Sequence, residues 1–257
     1  MPAHEPDRAA PAWLTEAATI EEVLGLLKTG KEAEVFLVER STPDRARSAV
    51  LAHKRYRPTR VSYKGELEAL GFSRARAFVD DARYRDGQTL GSSRDRRAVR
   101  RKSDHGRRVL AERWPDQEFD SLVRAHEAGV TVPYPVERTA EGLLMQFVGE
   151  GATAAPRLVS AGLDGDALAA AYAQLMDDVV TLTRAGLVHA DLSPYNLLWW
   201  RDRVWMIDFP QAVDLALNPH AVDMLHHDVT TVCTWFTRRG IDCDGEEVFA
   251  ALLAELW

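Results

Sequence analysis

Cysteine is nearly absent. Cys233 and Cys243 are the only two among 257 residues, and no second Cys or His pair stands at metal-ligand spacing. That excludes a disulfide framework and a thiolate zinc site and leaves two ordinary thiols. Long apolar runs are missing too: no stretch approaches the roughly 18 consecutive apolar residues of a membrane span. Glu5, Asp7 and Arg8 sit where a secretory signal would be apolar. The expectation is a soluble, cytoplasmic protein with no membrane partner. Lysine is scarce, 5 residues against 27 arginines, a skew that by itself points to no function.

What is present suffices for a globular core. With 46% hydrophobic and 28% charged residues, disorder along the whole chain is ruled out. The formal net charge of -7 conceals a segregation: residues 54–113 hold 18 Lys and Arg against 8 Asp and Glu, while the remainder holds 14 against 31. Such a basic stretch is either a solvated arginine-rich loop or the footprint of a polyanion, RNA or a ribosomal particle. Its aromatics, Tyr56, Tyr63, Phe72, Phe78 and Tyr84, have no RNA-motif spacing, which argues against recognition by stacking.

Residues 1–22 read as an N-terminal tail with a short amphipathic turn at Trp13 and Leu14. Apolar runs at 23–27 and 35–38, split by Lys28-Thr29-Gly30-Lys31-Glu32, predict a β-hairpin, and 49–56 predicts a third strand. After the Arg-rich insertion at 57–113, Phe119, Leu122, Val123 and His126 fall at helical spacing and Gly129 closes that helix. A buried strand is expected at 143–148, then a hinge at Gly149-Glu150-Gly151. Leu168, Tyr172, Leu175, Val179 and Leu182 mark one face of a helix over 165–184, ended by Gly186. Short strands at 197–200 and 204–207 precede a helix over 221–237. Strands and one helix, then mostly helices, predict an α+β fold of two lobes: a small β-rich lobe over 23–148 and a short helical lobe over 149–257, with a crevice between them.

The most informative stretch is His189-Ala190-Asp191-Leu192-Ser193-Pro194-Tyr195-Asn196, followed by Met206-Ile207-Asp208. An Asp, an Asn five residues on and a second Asp after a short strand place three oxygen-bearing side chains around one point. Hard oxygens of this kind suit Mg²⁺ in company with phosphate and water. In phosphoryl transfer the first Asp accepts the proton of the acceptor hydroxyl, while the Asn and the second Asp hold metal on the triphosphate. Such a nucleotide also needs a cation on its phosphates. Lys54, between Ala52 and Tyr56, is the only lysine of the third strand, and Glu118, at the head of the following helix, is its candidate partner.

The order of these features resembles the protein-kinase superfamily, and the wording resembles the RIO family of atypical protein kinases. Thr29-Gly30-Lys31-Glu32-Ala33 with Val35-Phe36 is similar to that family's phosphate loop, and Leu144-Met145-Gln146-Phe147-Val148-Gly149 to its adenine hinge. Residues 189–196 and Ile207-Asp208-Phe209-Pro210-Gln211 are similar to its catalytic and metal loops, and Pro219, Ala221, Leu225, Asp228 and Val229 to its closing helix. The resemblance implies a bilobal kinase-like fold and an ATP- and Mg²⁺-dependent serine/threonine kinase, or an ATPase switch. It implies Asp191 as catalytic base, Asn196 and Asp208 as metal ligands, and Lys54 on phosphate beside Glu118. Thr29, Gly30 and Lys31 would cover the phosphates, the backbone of Gln146 and Val148 would hold adenine, and Asp208 could itself accept phosphate. The acceptor would be an unidentified protein or the chain itself.

Departures from the kinase pattern shape these expectations. The phosphate loop has one glycine, Gly30, so backbone N–H groups with Thr29 and Lys31 must supply the cover. Pro210 stands where ordinary kinases have Gly, which argues against a flipping activation loop. The 49 residues after Asp208 are too few for a large peptide-docking platform, and 22 residues before the hairpin are too few for the family's N-terminal helical domain. Two alternatives stay open: a small-molecule kinase of the aminoglycoside-phosphotransferase type, which shares the His-x-Asp-x-x-x-x-Asn loop, and an RNA- or ribosome-binding factor gated by nucleotide.

Overall fold

The computed structural model describes residues 10–16, 18–30, 32–57 and 114–254. Lys31 and all but the first residue of the 57–113 insertion lie outside the described residues. Five strands form one antiparallel sheet in the order β1-β2-β3-β5-β4: β1 (Ile20–Thr29), β2 (Ala33–Ser41), β3 (Ser48–Tyr56), β4 (Pro135–Arg138) and β5 (Gly142–Gln146). The register places Val38 opposite Leu51 and His53 opposite Leu144 on one face, and Leu37 opposite Ala52 and Lys54 opposite Leu143 on the other. Alternation along each strand therefore sorts the side chains onto two faces. Val38, Leu51 and Leu144 pack under Trp13 and Leu14 of the 3-10 turn Ala12–Thr15, whereas Ala52 and Lys54 share the opposite face. Arg40 fastens that turn, donating to the carbonyl of Leu14 at 2.7 Å and to Glu21 and Glu137 at 2.8 Å each.

The hairpin predicted around Gly30 is present and longer than the apolar pattern suggested. β4 was not predicted; it opens on Pro135, which an edge strand tolerates because no ladder bond is lost there. The helix α1 (Trp114–Glu127) buries Glu118, Ser121, Leu122 and Ala125 along one stripe. Gly129 ends it at φ 93°, where its N–H reaches the His126 carbonyl and the Val130 N–H reaches Ala125, a Schellman cap that suits glycine. The strand predicted at 143–148 stops at Gln146. Gly149-Glu150-Gly151, expected as a hinge, belongs to a small ribbon, β6 (Gly149–Glu150) paired with β7 (Thr153–Ala154). A Cβ at Gly149 would lie 2.3 Å from the Thr153 carbonyl oxygen, so only glycine fits.

The C-terminal part packs α2 (Gly165–Arg184), α3 (Ala221–Thr237) and α4 (Gly245–Ala254) around one core that includes Leu168, Leu175, Val179, Leu225, Val229 and Phe236. The sequence pattern did not reveal α4, whose apolar residues crowd into a short segment. Two short antiparallel pairs lie against these helices: β8 (Leu187–Val188) with β11 (Val213–Asp214), and β9 (Leu197–Trp200) with β10 (Arg203–Met206). The loops 189–196 and 207–212 both run between these pairs, and the Ile207 N–H bonds the Asn196 carbonyl at 3.0 Å. No helix among the described residues is long and apolar enough to cross a membrane.

Candidate functional site

Lys54 leaves the sheet from β3 and is 8% exposed. Its ammonium donates to Glu118 Oε1 at 2.7 Å and to Asp208 Oδ1 at 2.5 Å, so one cation ties the sheet, α1 and the loop after β10 together. Burial alone would pull the lysine pKa down, but the carboxylates of Glu118 and Asp208 outweigh it and hold the value above the ordinary one. For Asp208 burial pushes upward and the Lys54 cation pushes down harder, so the carboxyl titrates below its usual range. Both groups are charged at neutral pH. Glu118, 2% exposed, also accepts the Phe209 N–H at 3.2 Å and the Tyr56 hydroxyl. Tyr56 follows Lys54 by two residues on one face of β3; burial, and then the Glu118 charge, raise its phenol pKa.

The second centre is the loop between β8 and β9. Asn196 Nδ2 donates to Asp191 Oδ2 and to the Asp191 carbonyl, both at 2.9 Å, which fixes the two side chains against each other. Solvent reaches Asp191, but partial burial raises its pKa; the Asn196 bond opposes this and the Asp208 charge adds to it. Ala190 and Asp208 both take left-handed backbone, φ 66° and 74°, a conformation that costs an L-residue roughly 1–2 kcal/mol. Asp228 of α3 supports the first of these, its Oδ2 accepting from the Ala190 N–H at 2.7 Å and its Oδ1 from Leu192 at 2.9 Å. Burial pushes the Asp228 carboxyl up to about 7 against the pull of those two donors.

His189 joins the two loops. Its Nε2–H donates to the Ile207 carbonyl at 3.1 Å, its Nδ1 accepts the Asp191 N–H at 3.3 Å, and its ring lies 4.7 Å from that of Phe209. Burial lowers its pKa to about 4, so the ring is neutral, as these two opposite hydrogen-bond roles require. Gln117 secures the same loop from α1, donating to the Ala212 carbonyl at 3.1 Å.

Thr29 and Gly30 turn from β1 into β2, the Gly30 N–H bonding the Ala33 carbonyl at 2.8 Å. Lys31, expected beside them, lies outside the described residues. Glu32, within the stretch similar to the phosphate loop, has its pKa raised by burial and then by Asp208, which puts its carboxylate in the field of the same cleft. The backbone of Gln146 and Val148 lies where the sheet hands over to the helical part. The Gln146 N–H is bonded to the Tyr134 carbonyl, and the Val148 carbonyl accepts from Ala155, while the Val148 N–H has no partner among the described residues. Among the described residues no three His, Cys, Asp or Glu side chains come together to hold a metal ion on their own. A divalent cation at Asn196 and Asp208 would draw its other ligands from phosphate and water, the habit of Mg²⁺. Asn196 Oδ1 and Asp208 Oδ2 have no partner among the described residues, and such hard oxygens fit that ion.

The predicted residues Lys54, Glu118, Asp191, Asn196 and Asp208 are thus brought to one cleft. The sequence pattern assigns no site role to Tyr56, Glu32 or Asp228, although Glu32 and Asp228 stand in the stretches similar to the family's phosphate loop and closing helix. Tyr56 was signalled by its two-residue offset from Lys54, whereas Asp228, 37 residues beyond Asp191, had no local signal.

The profile of the RIO domain matches residues 76–248. The chain is 33% identical over 237 residues to the RIO-type serine/threonine-protein kinase Rio1 of Haloferax volcanii, covering 92% of this chain and 70% of that protein. It is 31% identical to serine/threonine-protein kinase RIO1 of Caenorhabditis elegans and 30% identical to serine/threonine-protein kinase rio1 of Dictyostelium discoideum. Those matches cover 89% and 86% of this chain but only 40% and 34% of the relatives' length.

Proposed function

The chain belongs to the RIO domain family, and we propose that it passes the terminal phosphoryl group of ATP to a serine or threonine hydroxyl, on an unidentified protein or on itself. The observation that carries this reading is the Lys54 ammonium held between Glu118 and Asp208, with the Asp191–Asn196 pair in the adjoining loop. In this reading nucleotide lies between the sheet lobe, 23–148, and the helical lobe, 149–257. The Val148 N–H, with the backbone of Gln146, receives adenine. Thr29, Gly30 and Lys31 cover the phosphates, and Lys54 neutralises part of their charge. Asn196 and Asp208 would hold Mg²⁺, which when bound neutralises phosphate oxygens.

Asp191 takes the proton of the acceptor hydroxyl as that oxygen bonds to the terminal phosphorus and the bond to the bridging oxygen breaks, releasing ADP. Its raised pKa makes it a stronger base than an open carboxylate. An ATPase cycle through phosphorylated Asp208 uses the same groups, with water removing the phosphate afterwards. The free thiols Cys233 and Cys243 accord with action in the reducing cytoplasm. The 18 basic residues of 54–113 support a polyanionic partner such as RNA or a ribosomal particle, whose binding would weaken steeply with salt.

The test is incubation of the purified chain with γ-labelled ATP and Mg²⁺. Acid-stable, hydroxylamine-resistant label supports hydroxyl phosphorylation, and hydroxylamine-sensitive label supports aspartyl phosphate. Asp191→Asn should abolish the first. Neither label nor released phosphate from the wild-type chain would refute phosphoryl transfer.

A further inference from the structure

The cleft as described carries more negative charge than positive. Around Lys54 stand Glu118 and Asp208 in direct contact, with Asp191 and Glu32 in the same electrostatic neighbourhood. Among the described residues of the cleft, the buried Lys54 ammonium is already matched by two carboxylates. A triphosphate entering there would meet repulsion that Lys54 cannot offset alone.

Two further cations border the cleft, and no role was assigned to either from the sequence. Lys28, at the end of β1, pairs with Val35 of β2, and Val35 pairs with Lys54 of β3. Directly opposed residues of antiparallel strands project from the same face, so Lys28 projects from the face that carries Lys54, two strands or roughly 10 Å away. Arg157 belongs to the other lobe, where its backbone bridges to Leu198, two residues beyond Asn196. Neither side chain has a hydrogen bond or ion pair among the described residues. They are nonetheless close enough to act on each other: burial, then Arg157, lowers the Lys28 pKa, while Asp208 opposes. Two like charges close enough to repel each other, neither with a bonded carboxylate among the described residues, form a site for an anion.

We propose that Lys28 and Arg157 form a two-sided clamp on the terminal phosphate of the bound nucleoside triphosphate, one cation from each lobe. This rests on the nucleotide-binding reading above. Lys28 thereby supplies, with a side chain, part of the phosphate cover that a loop with a single glycine does not supply with backbone alone. The clamp also gives the site a preference for triphosphate over monophosphate, because only the terminal group reaches between the two cations.

Calorimetric titration with ATP, ADP and AMP at fixed Mg²⁺ and ionic strength tests the clamp in wild type, Lys28→Met, Lys28→Arg and Arg157→Met. Each Met variant should bind ATP roughly tenfold or more weakly, the loss of one charge-assisted contact, with AMP affinity unchanged. Lys28→Arg should retain most of the ATP affinity. Unchanged ATP affinity in both Met variants, or an equal loss for ATP and AMP, would overturn the clamp while leaving the nucleotide site standing. A wild-type chain that binds no ATP would overturn both.

Discussion

Asp228 is the sharpest place to perturb the site without touching a group that meets substrate. It accepts two buried backbone N–H groups, of Ala190 at 2.7 Å and Leu192 at 2.9 Å, on either side of Asp191. Replacement by Ala leaves both donors without a partner. At about 1–3 kcal/mol for each buried donor left without a partner, the loss is about 2–6 kcal/mol, a large share of a total stability of about 5–15 kcal/mol. Asp228→Asn keeps one acceptor and turns an NH₂ group towards the other donor, so it should lose about half as much and still fold. The pH dependence has a definite sign. With its pKa raised from the unfolded value of 3.8 to about 7, the native state takes up a proton that the unfolded state does not across that window. Native stability attributable to Asp228 therefore falls as pH rises from 3.8 to about 7, by roughly 4 kcal/mol. Asn cannot titrate, so the advantage of wild type over Asp228→Asn should be largest near pH 5 and shrink by pH 8. Urea unfolding followed by tryptophan fluorescence at pH 5, 6, 7 and 8 measures this. Because Asp228 positions the loop and touches no substrate, kcat of Asp228→Asn should fall while KM for ATP holds. Equal stability of wild type and Asp228→Ala, or a stability difference flat in pH, would refute the account.

Lys54→Ala and Glu118→Ala should impair the same step, and the double variant should lose far less than the two single losses combined; strict additivity in kcat/KM would refute the pairing. Asp208→Asn should lose Mg²⁺-dependent nucleotide affinity, whereas Asp191→Asn should keep the affinity and lose transfer, both read by titration with a non-hydrolysable ATP analogue. His189, with its pKa lowered by burial to about 4 from 6.5, opposes Asp228 in sign. Below 6.5 the unfolded state binds a proton that the native ring refuses, so the native state loses up to roughly 3 kcal/mol by pH 4. His189→Gln should remove that dependence in the same urea series.

Much of this site was legible because chemistry and local pattern coincide. Lys54 announces itself as the lone lysine of a strand that is apolar over 49–52, and the Asp191, Asn196 and Asp208 spacing survives in any fold that sets two short strands side by side. Glu118 was legible only as a charge at the head of a helix; that it is 2% exposed and carries three donors follows from tertiary packing. Asp228 was not legible as a site residue, because α3 returns to the Asp191 loop from outside the local pattern. The left-handed backbone at Ala190 and Asp208 was hidden for a related reason. Neither is glycine, so no residue type marks the strain, and their surroundings hold it: Asp228 on Ala190, and Glu118 on the Phe209 N–H beside Asp208. α4 and β4 escaped because short segments carry too little periodicity to separate helix, strand and loop.

The two carboxylates on Lys54 are not equivalent, and the difference says which contact is permanent. The Glu118 side chain is 3% exposed and holds three donors at once, so removing its cation would strand a buried charge, a loss of about 3–5 kcal/mol. The Asp208 side chain is 44% exposed, keeps one oxygen without a partner among the described residues, and faces the Asp191 loop. Water can take over its half of the ion pair at little cost. Lys54 therefore stays anchored on Glu118, and Asp208 is the partner that exchanges. An incoming phosphate can share the ammonium without uncovering Glu118, and the Asp208 carboxylate turns to other ligands while its backbone stays fixed by the bond from the Phe209 N–H to Glu118.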